Sequence, residues 1–469
     1  RQTMQVTGQP VVNYDYYNNG WLENIRQVIN SVEQKFNFVY DDGGRRTFLK
    51  YFQGTSSMPN IQTTYDYDNA NRLLTLKHFD VLNIELEVLN YLYDANGNRI
   101  TMNRPSVNLP LANPASNTSY NEANQMLSFN DKNITYDNNG NMASITNTCG
   151  TTNYTWNARN QLVGINGFKP DCSSLTASFK YDALGRRIEK TINSVTTKYL
   201  YDGADIIQEL NQDGSVKANY IRGLNIDEPL ARITQNAVRF YMTDALGSVI
   251  ALTDENGVVR TTYTYDPFGN STVSGEASDN PFQFAGREND GTGHLFERYR
   301  YYSLDLLRYI SQDPIGLAGG DVNYYVRVRN RPTMLVDPLG LDSLRYHVNA
   351  LYPYIEWLND SGFPTGIFPA YSGTPSGRYK PLPYGTYIGE NLRRRTKPGM
   401  RCGDEGWSLD IEPSNFSTNR TLLRIHPDEP PFGTKGCIGV DCKYAQDLYN
   451  QLLNYFNSGH SEIPVEVTY

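Results

Sequence analysis

The residues best suited to chemistry are a histidine and a cysteine near the end of the chain, in the segment RIHPDEPPFGTKGC. A cysteine thiol attacks as its thiolate, so Cys437 needs a base such as His426 within hydrogen-bond reach. Thr434 and Gly436 shape a tight turn before the cysteine, and such a turn lets backbone N–H groups face a developing oxyanion. The pattern favours Cys–His acyl chemistry over the alternative, a small buried cysteine.

A second candidate centre is formed by two Asp-Pro pairs, Asp313 in SQDPIG and Asp337 in VDPLGL. Two carboxyl groups that share one proton can activate a water molecule, provided that the fold brings them close together. A single Asp-Pro pair would be explained by a turn, so the hypothesis depends on the whole segment.

The elements that must position these centres are repeats of one unit, aromatic-x-Tyr-Asp, then Asn or Gly, then an apolar run. Copies begin at Tyr14, Phe38, Tyr65, Tyr91, Ile134, Phe179, Tyr199 and Tyr263. Alternation places the aromatic rings on one face of a strand, and Asn-Gly pairs supply the positive φ of a tight turn. Because one hairpin cannot bury its face alone, neighbouring hairpins must stack into a continuous sheet.

The composition supports this picture and excludes several classes of protein. The 36 Tyr and 38 Gly residues suit strands and turns, and 469 residues exceed one ordinary core. The 42 basic against 50 acidic side chains argue against a general polyanion binder, and no apolar run is long enough to span a membrane. The five cysteines do not form a disulfide framework, and whether Cys149 pairs with Cys172 is left open.

The repeats resemble the YD repeats of the Rhs, teneurin and insecticidal-toxin C-component superfamily over about residues 10–341. The resemblance implies a hollow β-cocoon that surrounds a cargo. The segment from Arg239, through RYRYYSLDLLRYISQDPIGL to DPLGL, resembles the Rhs-repeat-associated core, which closes the cocoon as a plug. We therefore expect residues 1–238 to belong to a longer shell, and we call residues 239–341 the plug segment.

In that superfamily the plug is an intramolecular aspartic protease. The resemblance implies that Asp313 and Asp337 are its carboxylates, that Arg308 is its arginine, and that the chain is cut between Leu341 and Asp342. Leu307 stands where the family usually has Gly.

The end of the chain resembles the catalytic domain of L,D-transpeptidases, through PLPYGTYIG and GTKGC. The resemblance implies that Cys437 forms a thioacyl enzyme from peptidoglycan stem tetrapeptides, with His426 as the base. The acyl group would pass to an amine, to water or to a D-amino acid. Tyr384, Trp407 and Arg401 are weaker candidates for contacts with substrate, and no metal or cofactor is expected.

These patterns predict a mainly β protein, a YD-repeat β-cocoon followed by a small, β-rich, mixed α+β domain over residues 342–469. Within that domain the apolar residues from Leu344 to Leu358 predict a helix, and a second helix is expected from Lys443 to Phe456.

The favoured hypothesis is a secreted, type VI interbacterial effector that is delivered to the periplasm of a target cell. Its partners would be peptidoglycan, a secretion-system spike or adaptor and an immunity protein, with no nucleic acid. Two alternatives stay open: a structural or adhesive shell with an inert plug, and a toxin of the target cytosol such as a nuclease or ADP-ribosyltransferase. Basic and acidic residues are nearly balanced in residues 342–469, which lowers the nuclease class.

Overall fold

The computed structural model describes residues 1–469 with the exception of 7–8, 30, 96, 113, 226, 315, 317–321, 338–342, 348–353, 359–363, 373–384, 395–400, 403–404, 414–423, 429–437, 442–447, 454–462 and 469. Within the described part, β-strands predominate, and most lie in large antiparallel sheets whose strand order follows the chain. The prediction of a mainly β protein is confirmed.

The first sheet has nine strands, each hydrogen-bonded to the next along the chain. They are β1 (Thr3–Met4), β2 (Val12–Tyr16), β3 (Leu22–Ile29), β4 (Val32–Tyr40), β5 (Arg46–Gln53), β6 (Ile61–Tyr67), β7 (Leu73–Phe79), β8 (Glu85–Tyr93) and β9 (Arg99–Asn103).

The second sheet has sixteen strands in the same consecutive order. They are β10 (Ser119–Tyr120), β11 (Met126–Phe129), β12 (Lys132–Tyr136), β13 (Met142–Asn147), β14 (Gly150–Trp156), β15 (Leu162–Phe168), β16 (Ser174–Tyr181), β17 (Arg187–Ile192), β18 (Val195–Asp202), β19 (Asp205–Asn211), β20 (Val216–Arg222), β21 (Pro229–Ile233), β22 (Val238–Thr243), β23 (Val249–Thr253), β24 (Val259–Tyr265) and β25 (Ser271–Gly275). The predicted boundary at 238/239 falls at the start of β22, and the sheet continues through it. The boundary stays a prediction.

Each part of the Tyr-Asp signature has a structural role in this stacking. The Asp ends a strand and closes the turn: Asp68 accepts hydrogen bonds from the backbone N–H groups of Ala70 at 2.8 Å and Arg72 at 2.9 Å. The Tyr hydroxyl reaches back to the previous repeat, as from Tyr93 to the carbonyl of Leu73 at 2.8 Å. The turn arginine lies over the tyrosine ring of the following repeat, with Arg72 at 4.9 Å from the centre of the Tyr93 ring. The signature therefore joins consecutive hairpins as well as closing each one.

The two sheets pack against each other through apolar residues. Phe36, Phe38 and Tyr51 of the first sheet share a buried cluster with Ile221 and Phe240 of the second. A disulfide joins Cys149 to Cys172, whose Cα atoms are 5.2 Å apart. It links the turn between β13 and β14 to the turn between β15 and β16, so it connects neighbouring hairpins at one edge of the shell.

A small third sheet follows, made of β26 (Glu288–Asn289), β27 (His294–Glu297), β28 (Arg300–Ser303) and β29 (Arg308–Tyr309), with short 3-10 turns at Phe284–Gly286 and Val328–Asn330. Its Phe296 and Tyr301, together with Ile310 just after β29, lie in one apolar cluster with residues of the second sheet, including Phe179. The third sheet is thus packed onto the shell.

The C-terminal unit contains β30 (Ser343–His347), β31 (Tyr354–Leu358), β32 (Pro364–Ser372), β33 (Gly385–Arg394), β34 (Arg401–Cys402), β35 (Glu405–Pro413), β36 (Arg424–Asp428), β37 (Ile438–Asp441) and β38 (Ile463–Thr468). Because β33 pairs with both β38 and β35, the strands form a closed ring. The predicted helix from Leu344 to Leu358 is wrong, since β30 and β31 pair there as antiparallel strands. Within the predicted second helix, residues 448–453 are helical.

A cluster of buried carboxylates and arginines in the plug segment

The third sheet places two charged side chains next to each other. The turn between β27 and β28 contains only Arg298 and Tyr299, and Glu297 is paired with Arg300 across it. Arg298 has a φ of 57°, as a two-residue hairpin turn of this kind requires. Strand β29 pairs with β28, which brings Tyr309 opposite Tyr302. The β27–β28 hairpin and strand β29 thus form one side of the candidate site.

The two predicted aspartates meet at one guanidinium, that of Arg300. Its Nη1 lies 3.0 Å from Oδ2 of Asp313, and its Nη2 lies 3.1 Å from Oδ2 of Asp337. The Tyr309 ring lies against the guanidinium, with its centre 3.7 Å from the central carbon. Asp337 is fully buried and Asp313 is 8% exposed. The fold brings together two residues far apart in sequence, as the chemistry of a carboxylate pair requires.

Arg308 lies elsewhere. Its Nη2 donates to the carbonyl of Asn124 at 2.7 Å and to Oδ1 of Asn323 at 3.2 Å, and its guanidinium lies 4.9 Å from the centre of the Tyr325 ring. Burial lowers the pKa of this guanidinium. The arginine that contacts both aspartates is therefore Arg300, which sequence reasoning missed. The sequence feature that could have pointed to Arg300 is the alternation in RYRYY, because it puts Arg300 and Tyr302 on the same face of a strand.

Leu307 has a φ of 59°, a left-handed conformation that costs a leucine about 1 kcal/mol or more. Glycine adopts it without strain, which explains the family's preference at this position. Leu307 also packs against the buried cluster shared with the shell. This contact offsets part of the strain.

A third carboxylate, that of Glu297, belongs to the same cluster and was also missed. Its Oε1 accepts a hydrogen bond from Nε of Arg327 at 2.8 Å, and its Oε2 lies 2.5 Å from the hydroxyl of Tyr309. That hydroxyl is also 2.8 Å from Oδ2 of Asp337. Burial, together with the charges of Asp337 and Glu297, raises the pKa of Tyr309 well above its ordinary value. The phenol therefore keeps its proton at neutral pH.

A separate ion cluster fixes the third sheet to the shell. Arg187 of β17 is fully buried, and its Nη2 donates to Glu288 at 2.7 Å and to Asp290 at 3.0 Å. Lys190 is 2.9 Å from the same aspartate. Burial alone would raise the pKa of Asp290, but the charges of Arg187 and Lys190 outweigh it and lower the pKa to about 2. These pairs hold the plug segment in place.

The candidate residues of the C-terminal unit are only partly described. Cys437, Thr434, Gly436 and Tyr384, like Leu341 and Asp342 at the predicted cut, lie outside the described residues. His426 lies in β36, which runs parallel to β37, and His426 is opposite Gly439. Trp407 lies in β35, opposite Arg394, and Arg401 lies in β34.

The described part of the chain contains no group of three or more His, Cys, Asp or Glu side chains suited to a metal ion. It also contains no helix with the length and apolar character needed to cross a membrane.

Comparison with known proteins identifies relatives of the shell and plug. A family model described as the Teneurin YD-shell matches residues 14–319. The tRNA3(Ser)-specific nuclease WapA of Bacillus spizizenii is 35% identical over 284 residues, which are 58% of this chain and 12% of that protein. The double-stranded DNA deaminase toxin A of Burkholderia cenocepacia is 29% identical over 323 residues, 61% of this chain and 21% of that protein. The probable deoxyribonuclease RhsB of Dickeya dadantii is 32% identical over 206 residues, 40% of this chain and 13% of that protein.

The crystal structure of TcdB2-TccC3-Cdc42 superimposes with a TM-score of 0.52 at 19% identity, over 71% of this chain and 20% of that chain. At this identity the likeness shows the fold alone. It agrees with the predicted β-cocoon.

The relatives overturn part of the sequence-based prediction. They are named as nucleases and a DNA deaminase, which conflicts with a cysteine L,D-transpeptidase or carboxypeptidase. The predicted activity of Cys437, the peptidoglycan partner and the exclusion of nucleic acid are therefore wrong. The GTKGC pattern is a short local motif, and such motifs often occur without the function they suggest.

Proposed function

The chain belongs to the Teneurin YD-shell family, and we propose that its plug segment cuts the chain after Leu341 and so frees a toxin that acts on nucleic acid. The Rhs and YD-repeat toxins among its relatives support the proposal that it is a polymorphic toxin of this type. The chain spans only 12% to 21% of the length of the relatives described above. The cleavage rests on one observation, the guanidinium of Arg300 between the carboxylates of Asp313 and Asp337.

The reaction is hydrolysis of the peptide bond between Leu341 and Asp342. Water adds to the carbonyl carbon of Leu341 while one carboxylate accepts its proton, and the negative charge moves to the carbonyl oxygen. The C–N bond then breaks, its electron pair goes to the nitrogen of Asp342, and a carboxyl group supplies the proton for that nitrogen. One water is consumed, and a carboxyl group on Leu341 and an amino group on Asp342 are formed.

Arg300 has a definite part in this scheme. Its two nitrogens fix the positions of both aspartates, and its positive charge stabilises whichever of the two carboxyl groups is ionised. The side chain is 1% exposed, so solvent does not weaken these interactions. Arg308, which bonds to Asn124 and Asn323 instead, positions the plug segment against the shell.

Gel electrophoresis of the purified chain tests the cleavage. The wild type should yield a fragment of residues 342–469, and Asp313→Asn, Asp337→Asn and Arg300→Gln should yield the intact chain. Arg308→Lys serves as the matched control and should still cleave. An intact wild-type chain, or equal loss of cleavage in the Arg300 and Arg308 variants, would contradict the assignment.

The proposed substrate class comes from the relatives, which are named for action on tRNA and DNA. Nucleic acid of these kinds lies in the cytosol, so we place the toxin's action there rather than in the periplasm. Within residues 342–469, we propose His426, in the strand beside β37, as a general acid or base, since histidine is the residue most often used for this role.

Expression in the bacterial cytosol tests this second step. We expect growth arrest, with tRNA or genomic DNA cleaved or deaminated, and relief by His426→Ala. A chain that ends at Leu341 is the control and should be harmless. Toxicity only after export to the periplasm, or nucleic acid that stays unmodified during growth arrest, would refute it. Absence of any toxicity would favour a structural shell.

A further inference from the structure

The hydroxyl of Tyr309 lies between two carboxyl groups. It is 2.5 Å from Oε2 of Glu297 and 2.8 Å from Oδ2 of Asp337, and all three side chains are at most 1% exposed. A phenol has one hydrogen and can donate it to only one of the two oxygens. The other short O···O contact needs a hydrogen of its own, since two acceptors without one repel each other.

We propose that Glu297 is a third carboxyl group of the cleavage centre and shares one proton with Asp337 through the hydroxyl of Tyr309. The inference rests on the proposed self-cleavage. Glu297 acts through Tyr309 and is a positioning residue, because neither oxygen of its carboxyl contacts Asp313 or Asp337 among the bonds described.

The charged groups around Glu297, Tyr309 and Asp337 come from several elements. Arg327 donates to Glu297 at 2.8 Å, and Arg300 lies 3.1 Å from Asp337. Glu297 and Asp337 therefore each bond to a guanidinium, so the two carboxyl groups are comparable sites for the shared proton. Asp313 bonds to the other terminal nitrogen of Arg300, at 3.0 Å.

Sharing with Glu297 solves a difficulty of the cleavage site. In aspartic proteases two carboxyl groups share a proton directly, whereas here Asp313 and Asp337 bond to different nitrogens of the Arg300 guanidinium. Asp313 is therefore left as the base that takes a proton from water. Asp337 is left as the acid, and it receives its proton from Glu297 through the hydroxyl of Tyr309.

The transfer balances without a charged tyrosine. Glu297 gives its proton to the oxygen of Tyr309 while Tyr309 gives its own proton to Asp337. Asp337 protonates the leaving nitrogen of Asp342, and Asp313 holds the proton taken from water. One water has been consumed, and one proton has been moved from Glu297 to Asp313.

The pH dependence of self-cleavage tests this arrangement. The full chain is made by cell-free synthesis, diluted into buffers of different pH, and followed on gels for the wild type, Glu297→Gln and Tyr309→Phe. Without a second carboxylate or the hydroxyl link, Asp337 loses its proton more easily. The alkaline limb of the rate profile should therefore move to lower pH by about one unit or more in each variant. The double variant should move no further than the single ones, since both changes break the same link.

Glu288→Gln is the matched control, because Glu288 is a buried carboxylate of the same sheet that bonds to Arg187 instead. It should leave the alkaline limb in place, even if it lowers the melting temperature. If the wild type cleaves and the limb stays in place in Glu297→Gln and Tyr309→Phe, the shared proton is refuted and self-cleavage stands. If the wild type does not cleave at any pH, self-cleavage is refuted.

Infrared spectroscopy covers the case in which Glu297→Gln fails to fold. The intact Asp313→Asn chain should show the C=O band of a protonated, buried carboxyl group at neutral pH, and Tyr309→Phe in that background should shift or remove it. A spectrum at neutral pH without that band would overturn the proposal.

Discussion

Arg187 is the residue whose replacement should most weaken the attachment of the plug segment to the shell. Its guanidinium is fully buried, bonds to Glu288 and Asp290, and lies 4.1 Å from the centre of the Phe296 ring. In Arg187→Met the apolar stem is largely kept, but two buried carboxylates lose their main partner. Lys190 remains beside Asp290, so the positive charge that balances the two carboxylates is reduced and not abolished.

The size of the effect follows from the buried charges. Removing one partner of a buried ion pair costs about 3–5 kcal/mol, and we expect the lower end because Lys190 remains. The pKa of Asp290 gives a second measure: it falls from 3.8 to about 2 on folding, which corresponds to about 2–3 kcal/mol. Since the folded pKa is the lower one, this stability is present above pH 3.8 and is lost as the pH falls towards 2. The wild type should therefore lose stability in that window, and Arg187→Met should lose less.

Urea unfolding followed by circular dichroism measures both effects, in the Asp337→Asn background so that every chain stays intact. Arg260→Met is the control, because Arg260 pairs with Asp254 while 44% of its side chain is exposed, so its loss should cost under about 1 kcal/mol. The reasoning would be refuted if Arg187→Met lowered the free energy of unfolding at neutral pH no more than the control does. It would also be refuted if Arg187→Met lost as much stability as the wild type between pH 3.8 and 2.

Two further predictions concern the second sheet, β10–β25. Tyr265→Phe removes the hydroxyl that donates to the carbonyl of Val249 at 2.6 Å, and it should lower the free energy of unfolding by about 1–2 kcal/mol, measured by urea titration. An unchanged midpoint would mean that the tyrosines of the repeats act only through their rings. Reduction of the disulfide between Cys149 and Cys172, which are 23 residues apart, should cost about 3 kcal/mol. The double Cys→Ser variant should melt at the temperature of the reduced wild type, and insensitivity of the wild type to reductant would contradict this.

Local sequence predicted the repeating hairpins because their determinants are local. The Asp of each signature binds backbone groups within four residues, as at Asp68 and Arg72, and alternation decides which side chains share a face. The same reasoning failed between Leu344 and Leu358, where an apolar run suited helix and strand alike. Pairing of β30 with β31 and with β38 decided for strands there.

The candidate site was predicted in part. Asp313 and Asp337 were recognised by their Asp-Pro motifs, whereas Arg300, Glu297 and Tyr309 carry no motif of their own. Arg308 is the nearest arginine to Asp313 in sequence, but it lies against Asn124 of the shell.

The sequence by itself determined the hairpin repeat, the mainly β class and the two aspartates, since turn chemistry, alternation and short motifs act over a few residues. Only the tertiary structure decided which arginine joins the aspartates and which third acid they are linked to. Those choices depend on the hairpin that sets Glu297 beside Arg300, and on the packing that brings Asp337 beneath Tyr309. Buried charges select partners by distance in space, because a low-dielectric interior penalises every charge left without one.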